Sequence, residues 1–202
     1  MGVVNTPATR RIGAETSKTR SQLVDAAERL LLEEGYAAVT SRRVGAKAGL
    51  KPQLVHYYFR SMEELFLEVF HRRADENLAR AERTLATGAS LRTLWHLNAD
   101  LRGAAFNIEF VALANHHKAI RAEVARYAER FRAMQLQALA RALADHDVGA
   151  DELPPVAALL LMTGLTQVLS LERALGVTAG HDETLAFVAG VIDRLEPRDS
   201  DS

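Results

Sequence analysis

Residues Thr40 to Phe59 read TSRRVGAKAGLKPQLVHYYF. The spacing predicts two short helices joined by a tight turn. Thr40 is a good N-cap for a helix through about Ala48, since its hydroxyl accepts an otherwise free N–H of the first turn. Gly49 stops that helix, because the residue leaving a helix often needs a positive φ. Pro52 sits where a second helix begins, with φ already fixed and no N–H to lose. That order is a helix-turn-helix pattern.

The second helix sorts its residues by face. With Gln53 at zero, Tyr57, Arg60 and His56 fall at about 40°, 340° and 300° around the helix axis. Leu54, Tyr58, Val55 and Phe59 fall at about 100°, 140°, 200° and 240°. The second arc packs and the first faces outward. The outward arc holds donors, acceptors and one flat aromatic ring, with no carboxylate. Such a face suits the major groove, where amides read adenine edges and cations hold phosphates; it also suits an ordinary amphipathic surface helix.

Around this stretch the charge is unevenly spread. The 202-residue chain has a formal net charge of −1, yet residues 1–60 hold 10 Lys or Arg against 5 Asp or Glu. The rest holds 15 against 21. A basic head on an acidic body is expected where only the head meets nucleic acid. Upstream, helix 1 is expected from about Lys18 to Glu34, with Leu23, Ala27, Leu30 and Leu31 on its apolar face. Residues 1–16 lack periodicity and read as a disordered basic tail, either a plain terminus or an arm able to reach a minor groove. Downstream, Ser61 and Glu64 form a capping box that starts a helix to about Ala86. The head is thus expected over residues 17–62.

The body, 63–196, reads as further helices: about Ser90–Arg102, Ala104–Asn115, Ala119–Asp145, Val156–Leu175, and a ninth capped by Asp182 and ending near Leu195. Gly88 and Gly103 are expected breaks, and 197–202 a disordered tail. No strand pattern appears, so the fold class is all-α. The Val156–Leu171 run is too short and polar for a membrane span and reads as a buried helix. Leu185, Val188, Ala189, Ile192 and Leu195 form a stripe on helix 9. One chain is not expected to cover both helices, so they read as a dimer interface in a four-helix bundle of two copies. No secretory signal is visible, which fits a cytoplasmic protein with no membrane partner.

The run LVDAAERLLLEEGYAAVTSRRVGAKAGLKPQLVHYYFRSMEELF resembles the DNA-binding head of TetR-type transcriptional regulators over about residues 20 to 66. The resemblance implies a nine-helix homodimer on a palindromic double-stranded operator, acting as a repressor released by a small molecule held in the body. It places base contacts at Lys51, Pro52 and Gln53, and further DNA contacts at Thr40, Ser41, Arg42, Tyr57 and Arg60. His56 stands where the family often has tyrosine. Met62 replaces a usual lysine, leaving only a backbone contact to phosphate at that helix start.

The resemblance also implies a pocket among helices 4 to 8. Candidate liners are Trp95, Asn98, Phe106, Phe110, Tyr127, Phe131, Met134, Met162 and Gln167, a mainly apolar set with a few polar anchors. No resident cofactor is implied. The chain has no cysteine, so it offers neither a disulfide framework nor a thiolate metal site. His116 and His117 are adjacent, point about 100° apart, and cannot chelate as an i, i+4 pair would. No G-x-S-x-G, H-E-x-x-H, Walker A or G-x-G-x-x-G motif is present, so no enzyme is expected. Two alternatives stay open: a DNA-binding regulator with no small-molecule ligand, acting constitutively or as an activator, and a helical dimer that binds no DNA.

Overall fold

The computed structural model describes residues 7–99 and 101–197, which hold nine α-helices and no strand. The helices are α1 (Pro7–Glu34), α2 (Ser41–Ala48), α3 (Gln53–Tyr58), α4 (Met62–Ala86) and α5 (Leu91–Asn98). They continue as α6 (Leu101–Ala114), α7 (Lys118–Asp145), α8 (Pro155–Ala174) and α9 (His181–Leu195). A single 3₁₀ turn, Tyr36–Ala38, joins α1 to α2. The all-α reading holds.

Two expected boundaries differ. Helix α1 begins at Pro7, where the ring suits a first turn, not at Lys18. Ten residues of the expected basic tail are therefore helical; residues 1–6 and 198–202 lie outside the described set. Gly103 lies inside α6 and does not break the chain. The break falls after Asn98, whose side-chain amide donates to the Leu94 carbonyl at 2.9 Å. A helix tolerates one glycine at a cost of about 1 kcal/mol, which packing offsets.

The chain divides into two compact units, and the division does not fall at residue 62. The first is Met1–Arg73 with Glu109–Glu123; the second is Ala74–Ile108 with Val124–Ser202. A three-helix head is too small to close a core alone. It recruits the start of α4 and a segment more than thirty residues further on.

In the first unit, Leu23, Ala27, Leu30 and Leu31 of α1 pack with Val44, Val55, Phe59, Leu65 and Val69 in the buried core. Phe70 meets Phe110 at 5.0 Å between ring centroids. Ion pairs join α1 to α4: Arg20 with Glu68, and Arg72 with both Asp25 and Glu28. The Arg20 guanidinium also lies 5.1 Å from the centre of the Phe59 ring. The Arg20 hydrogen bond, opposed by burial, holds the Glu68 carboxyl below its ordinary range. Burial opposes the charge of Arg72, but its bonds to Glu28 and Asp25 outweigh it and raise the pKa.

In the second unit, Leu91, Leu94, Ala138, Leu139, Ala142, Leu143, Leu159 and Ile192 form the core. Helix α8 is inverted relative to the usual amphipathic helix. Its buried residues are Leu159, Thr166 and Ser170, and both hydroxyls donate back to the carbonyl four residues earlier. Its exposed residues include Val156, Leu160, Leu161, Val168, Leu171 and Leu175, with Leu161 70% and Leu175 71% exposed. These fall on one arc about 140° wide. One copy of the chain therefore leaves this helix mostly open: 17% of its most apolar window is buried, and by length and composition it could cross a membrane.

The stripe expected on α9 is partly covered within one copy of the chain. Ile192 is in the chain's own core, with Val188 and Leu195 packed against it. Leu185 is half-buried and Ala189 exposed. One copy of the chain covers most of this stripe, because α5, α7 and α8 already supply an apolar wall. Phe187, 68% exposed, is the large apolar side chain that α9 leaves open.

Candidate nucleic-acid interface

The site is built on α2, its turn and α3. The Thr40 hydroxyl accepts the Arg43 N–H at 3.3 Å and so starts α2. Gly49 ends it with φ of 69°, and the Leu50 N–H donates to the Gly45 carbonyl at 2.9 Å. Gly45 is the tight point. A Cβ there would lie 3.0 Å from the Leu50 carbonyl oxygen and from Pro52 N and Cα. A side chain at that position would press on the backbone of the turn that folds back on α2.

Pro52, with φ of −55°, leads into α3. Val55 and the following Phe59 are each 1% exposed and pin this short helix to the core. Leu54 and Tyr58 are half-buried, while Gln53, His56, Tyr57 and Arg60 face solvent. From Gln53 to Tyr58 the outward and inward arcs are those expected; Phe59 is extended and, with Arg60, lies past the helix end, so helix pitch does not place these two. Tyr57 is 75% exposed, its ring edge-on to Tyr58 with centroids 5.0 Å apart. Lys51, Thr40 and Arg42 are exposed, and Ser41 and Pro52 are half-buried.

Not every cation of the head is on that face. Arg43 pairs with Glu34 and Lys47 with Glu33, so part of the basic charge is spent against α1. Arg42, Lys51 and Arg60 carry the charge beside Gln53. At the start of α4 the Ser61 hydroxyl accepts the Glu64 N–H at 3.1 Å, and the Glu64 carboxylate accepts the Arg60 N–H at 2.8 Å. The expected capping box forms, reaching one residue further back than its usual target.

The expected pocket residues are scattered. Phe110 is fully buried in the first unit, while the others belong to the second. Gln167 is exposed on the outward arc of α8. Phe106 is buried. Trp95 and Met162 lie against the core cluster, and Met134 is half-buried. Tyr127 and Phe131 stack with centroids 5.7 Å apart, and the Asn77 amide bonds to the Tyr127 hydroxyl. Asn98 donates to the Gln135 side-chain oxygen at 2.5 Å and approaches the Met162 sulfur at 3.8 Å.

Gln135, 1% exposed, was not expected from sequence. Its signal was a polar residue interrupting the apolar spacing of Phe131, Ala138 and Ala142. His117 pairs with Glu63 at 2.9 Å, whereas His116 is exposed. Among the described residues no group of three His, Cys, Asp or Glu is placed to hold a metal ion.

Fold and site together define a helix-turn-helix head on a helical body. Residues 23–69 match the family described as bacterial regulatory proteins, tetR family. Over those 47 residues the chain is similar to that family. A curated relative, the HTH-type transcriptional regulator BetI of Rhizobium meliloti (strain 1021), is 40% identical over 57 residues. That match spans 28% of this chain and 28% of the relative.

Solved structures share the fold over nearly the whole length. A TetR transcription regulator from Haloarcula marismortui ATCC 43049 is 17% identical with a TM-score of 0.69, covering 88% of this chain and 98% of its own. A transcriptional regulator, SCO7518, of Streptomyces coelicolor A3(2) is 24% identical with a TM-score of 0.59, covering 90% and 99%. FadR of Bacillus subtilis, solved in complex with stearoyl-CoA, is 16% identical with a TM-score of 0.64, covering 88% and 97%.

Proposed function

We propose that this chain is a homodimeric repressor that binds a palindromic DNA operator and releases it when a small, mainly apolar molecule enters the body. The observation that carries the reading is the outward face of α3. Gln53, His56, Tyr57 and Arg60 are exposed together, without a carboxylate, on a head of the tetR family. Gln53 would read a base edge, with Lys51 and Pro52 beside it. Thr40, Ser41, Arg42, Tyr57, His56 and Arg60 would meet backbone or base from α2 and α3.

The dimer reading is supported by the open apolar arc of α8 and by Phe187, which a second copy would cover. Two recognition helices about 34–36 Å apart then read two half-sites. The ligand reading is supported by the neutral Asn98–Gln135 pair, which approaches the Met162 sulfur, and by Trp95 and the Tyr127–Phe131 stack elsewhere in the same unit. Polar anchors of that kind among apolar walls suit an apolar molecule with one hydrogen-bonding end. The likeness in fold to a regulator solved with stearoyl-CoA makes long acyl compounds the first class to screen.

Selection of duplexes from a random pool, followed by footprinting at two salt concentrations, tests the reading. A protected palindrome whose affinity falls steeply with salt is expected. Weak binding indifferent to sequence would overturn it.

A further inference from the structure

Glu109 is the sole Asp, Glu, Lys or Arg between Arg102 and Lys118, and from Gly103 to Ala114 its neighbours in the helix are apolar or small apart from Asn107. It is half-buried, next in sequence to the fully buried Phe110. Its carboxylate accepts the backbone N–H of Tyr36 at 2.8 Å. That N–H is the first of the 3₁₀ turn. Gly35, the residue that would normally cap it, has no side chain to do so. Glu109 therefore supplies, from 73 positions away, the cap that the local sequence lacks. Gly35 has φ of 80°, and a Cβ there would stand 3.5 Å from the same carboxylate.

From Tyr36 to α2 the path is short and bonded at each step. The Val39 N–H donates to the Tyr36 carbonyl at 3.1 Å, and Thr40 N–H to the Ala38 carbonyl at 3.1 Å. Val39 is buried, and Thr40 then caps α2. The same distant segment also meets the start of α4, five residues past the end of α3. His117 pairs with Glu63, three residues past Arg60. Arg121 closes the end of α6 by donating to the Ala114 and Asn115 carbonyls at 3.0 and 3.2 Å. A segment outside the helix-turn-helix thus touches the chain just before α2 and just after α3.

We propose that Glu109 is a positioning residue that couples the end of α6 to the DNA-reading face, by holding the turn that starts α2. This rests on the DNA-binding reading above. Coupling is reciprocal: if α6 biases the pose of α2, then DNA bound at α2 must steady α6.

The test needs no ligand. Amide hydrogen exchange is followed in the full chain with and without a duplex selected by the wild-type protein from a random pool. In the wild type, DNA should slow exchange both at α2–α3 and at the end of α6, residues 109–116. Glu109→Leu, which keeps the bulk but removes both oxygens, should keep the α2–α3 protection and lose that at 109–116. Its DNA affinity should fall about tenfold, within the range usual for coupled sites. Glu109→Gln keeps an acceptor oxygen and should restore most of both effects.

Equal DNA-induced protection of 109–116 in Glu109→Leu would overturn the proposal. So would a Gln variant as impaired as the Leu variant, since the hydrogen bond would then not be the cause. If the Leu variant does not fold, the Gln variant and a Glu109→Ala variant give the same comparison. Failure of the wild type to select any duplex would overturn the DNA-binding reading and this inference with it. Selection without loss of coupling in the variant would overturn the inference alone.

Discussion

Gly45 and Gln53 show the two ways a single residue matters in the head. At Gly45 the limit is space. The atoms 3.0 Å from a would-be Cβ are backbone atoms of Leu50 and Pro52, which cannot swing aside as a side chain does. Gly45→Ala gains about 1 kcal/mol of helix propensity but must overpack the turn, at roughly 1–3 kcal/mol. A net loss of about 1 kcal/mol in denaturant unfolding is expected, with weaker DNA binding; a more stable protein would refute the close-approach argument. At Gln53 the limit is chemistry. Gln53→Ala should lose about 1–3 kcal/mol of preference between the selected operator and scrambled DNA. An unchanged ratio of the two affinities would remove Gln53 as a base reader.

Between elements, α1 and α4 are joined by charge as well as by apolar packing. Glu68 is depressed below its ordinary range chiefly by the Arg20 hydrogen bond, against the burial that opposes it. Its folded pKa lies below its unfolded one, so its contribution is complete above the ordinary carboxylate range. It is lost as pH falls through the lowered folded value. Glu68→Gln should therefore flatten the acid limb of Tm against pH and leave the slope near neutrality unchanged. The pair is partly exposed, so the effect should be small and reduced by salt. The start of α4 offers a second check. Ser61→Ala removes the acceptor of the Glu64 N–H and should cost about 1 kcal/mol, read as a lower denaturation midpoint with unchanged cooperativity.

For the whole molecule, the open face of α8 is an apolar surface that one copy of the chain leaves uncovered. Val156, Leu160, Leu161, Val168, Leu171 and Leu175 share one arc, and Gly164 lies on it with nothing within 4 Å of a would-be Cβ. A second copy laid there would bury it with close approach at the glycine. Leu161→Glu should weaken self-association by about 2 kcal/mol or more, seen as monomer in sedimentation at micromolar concentration. Affinity for a palindrome should fall with it, while a single half-site should be bound as before. A variant that stays dimeric would move the interface elsewhere.

The local parts of this protein were legible because they rest on local physics. Thr40, Gly49, Pro52 and Ser61 punctuate the chain by backbone preference, and the two arcs of α3 follow from helix pitch alone. The all-α class and the order of the helices follow from the same periodicity. What the sequence could not decide was which apolar face meets which. The α9 stripe and the α8 run are both apolar; only the tertiary structure puts Ile192 inside and leaves Leu161 outside, because periodicity identifies a face but not its partner. The same holds for polar groups. Glu109 and Gln135 stood out only as interruptions in apolar runs, and their partners, Tyr36 and Asn98, lie 73 and 37 positions away. Long-range pairs of that kind are chosen by the packing of the whole chain, which no local pattern encodes.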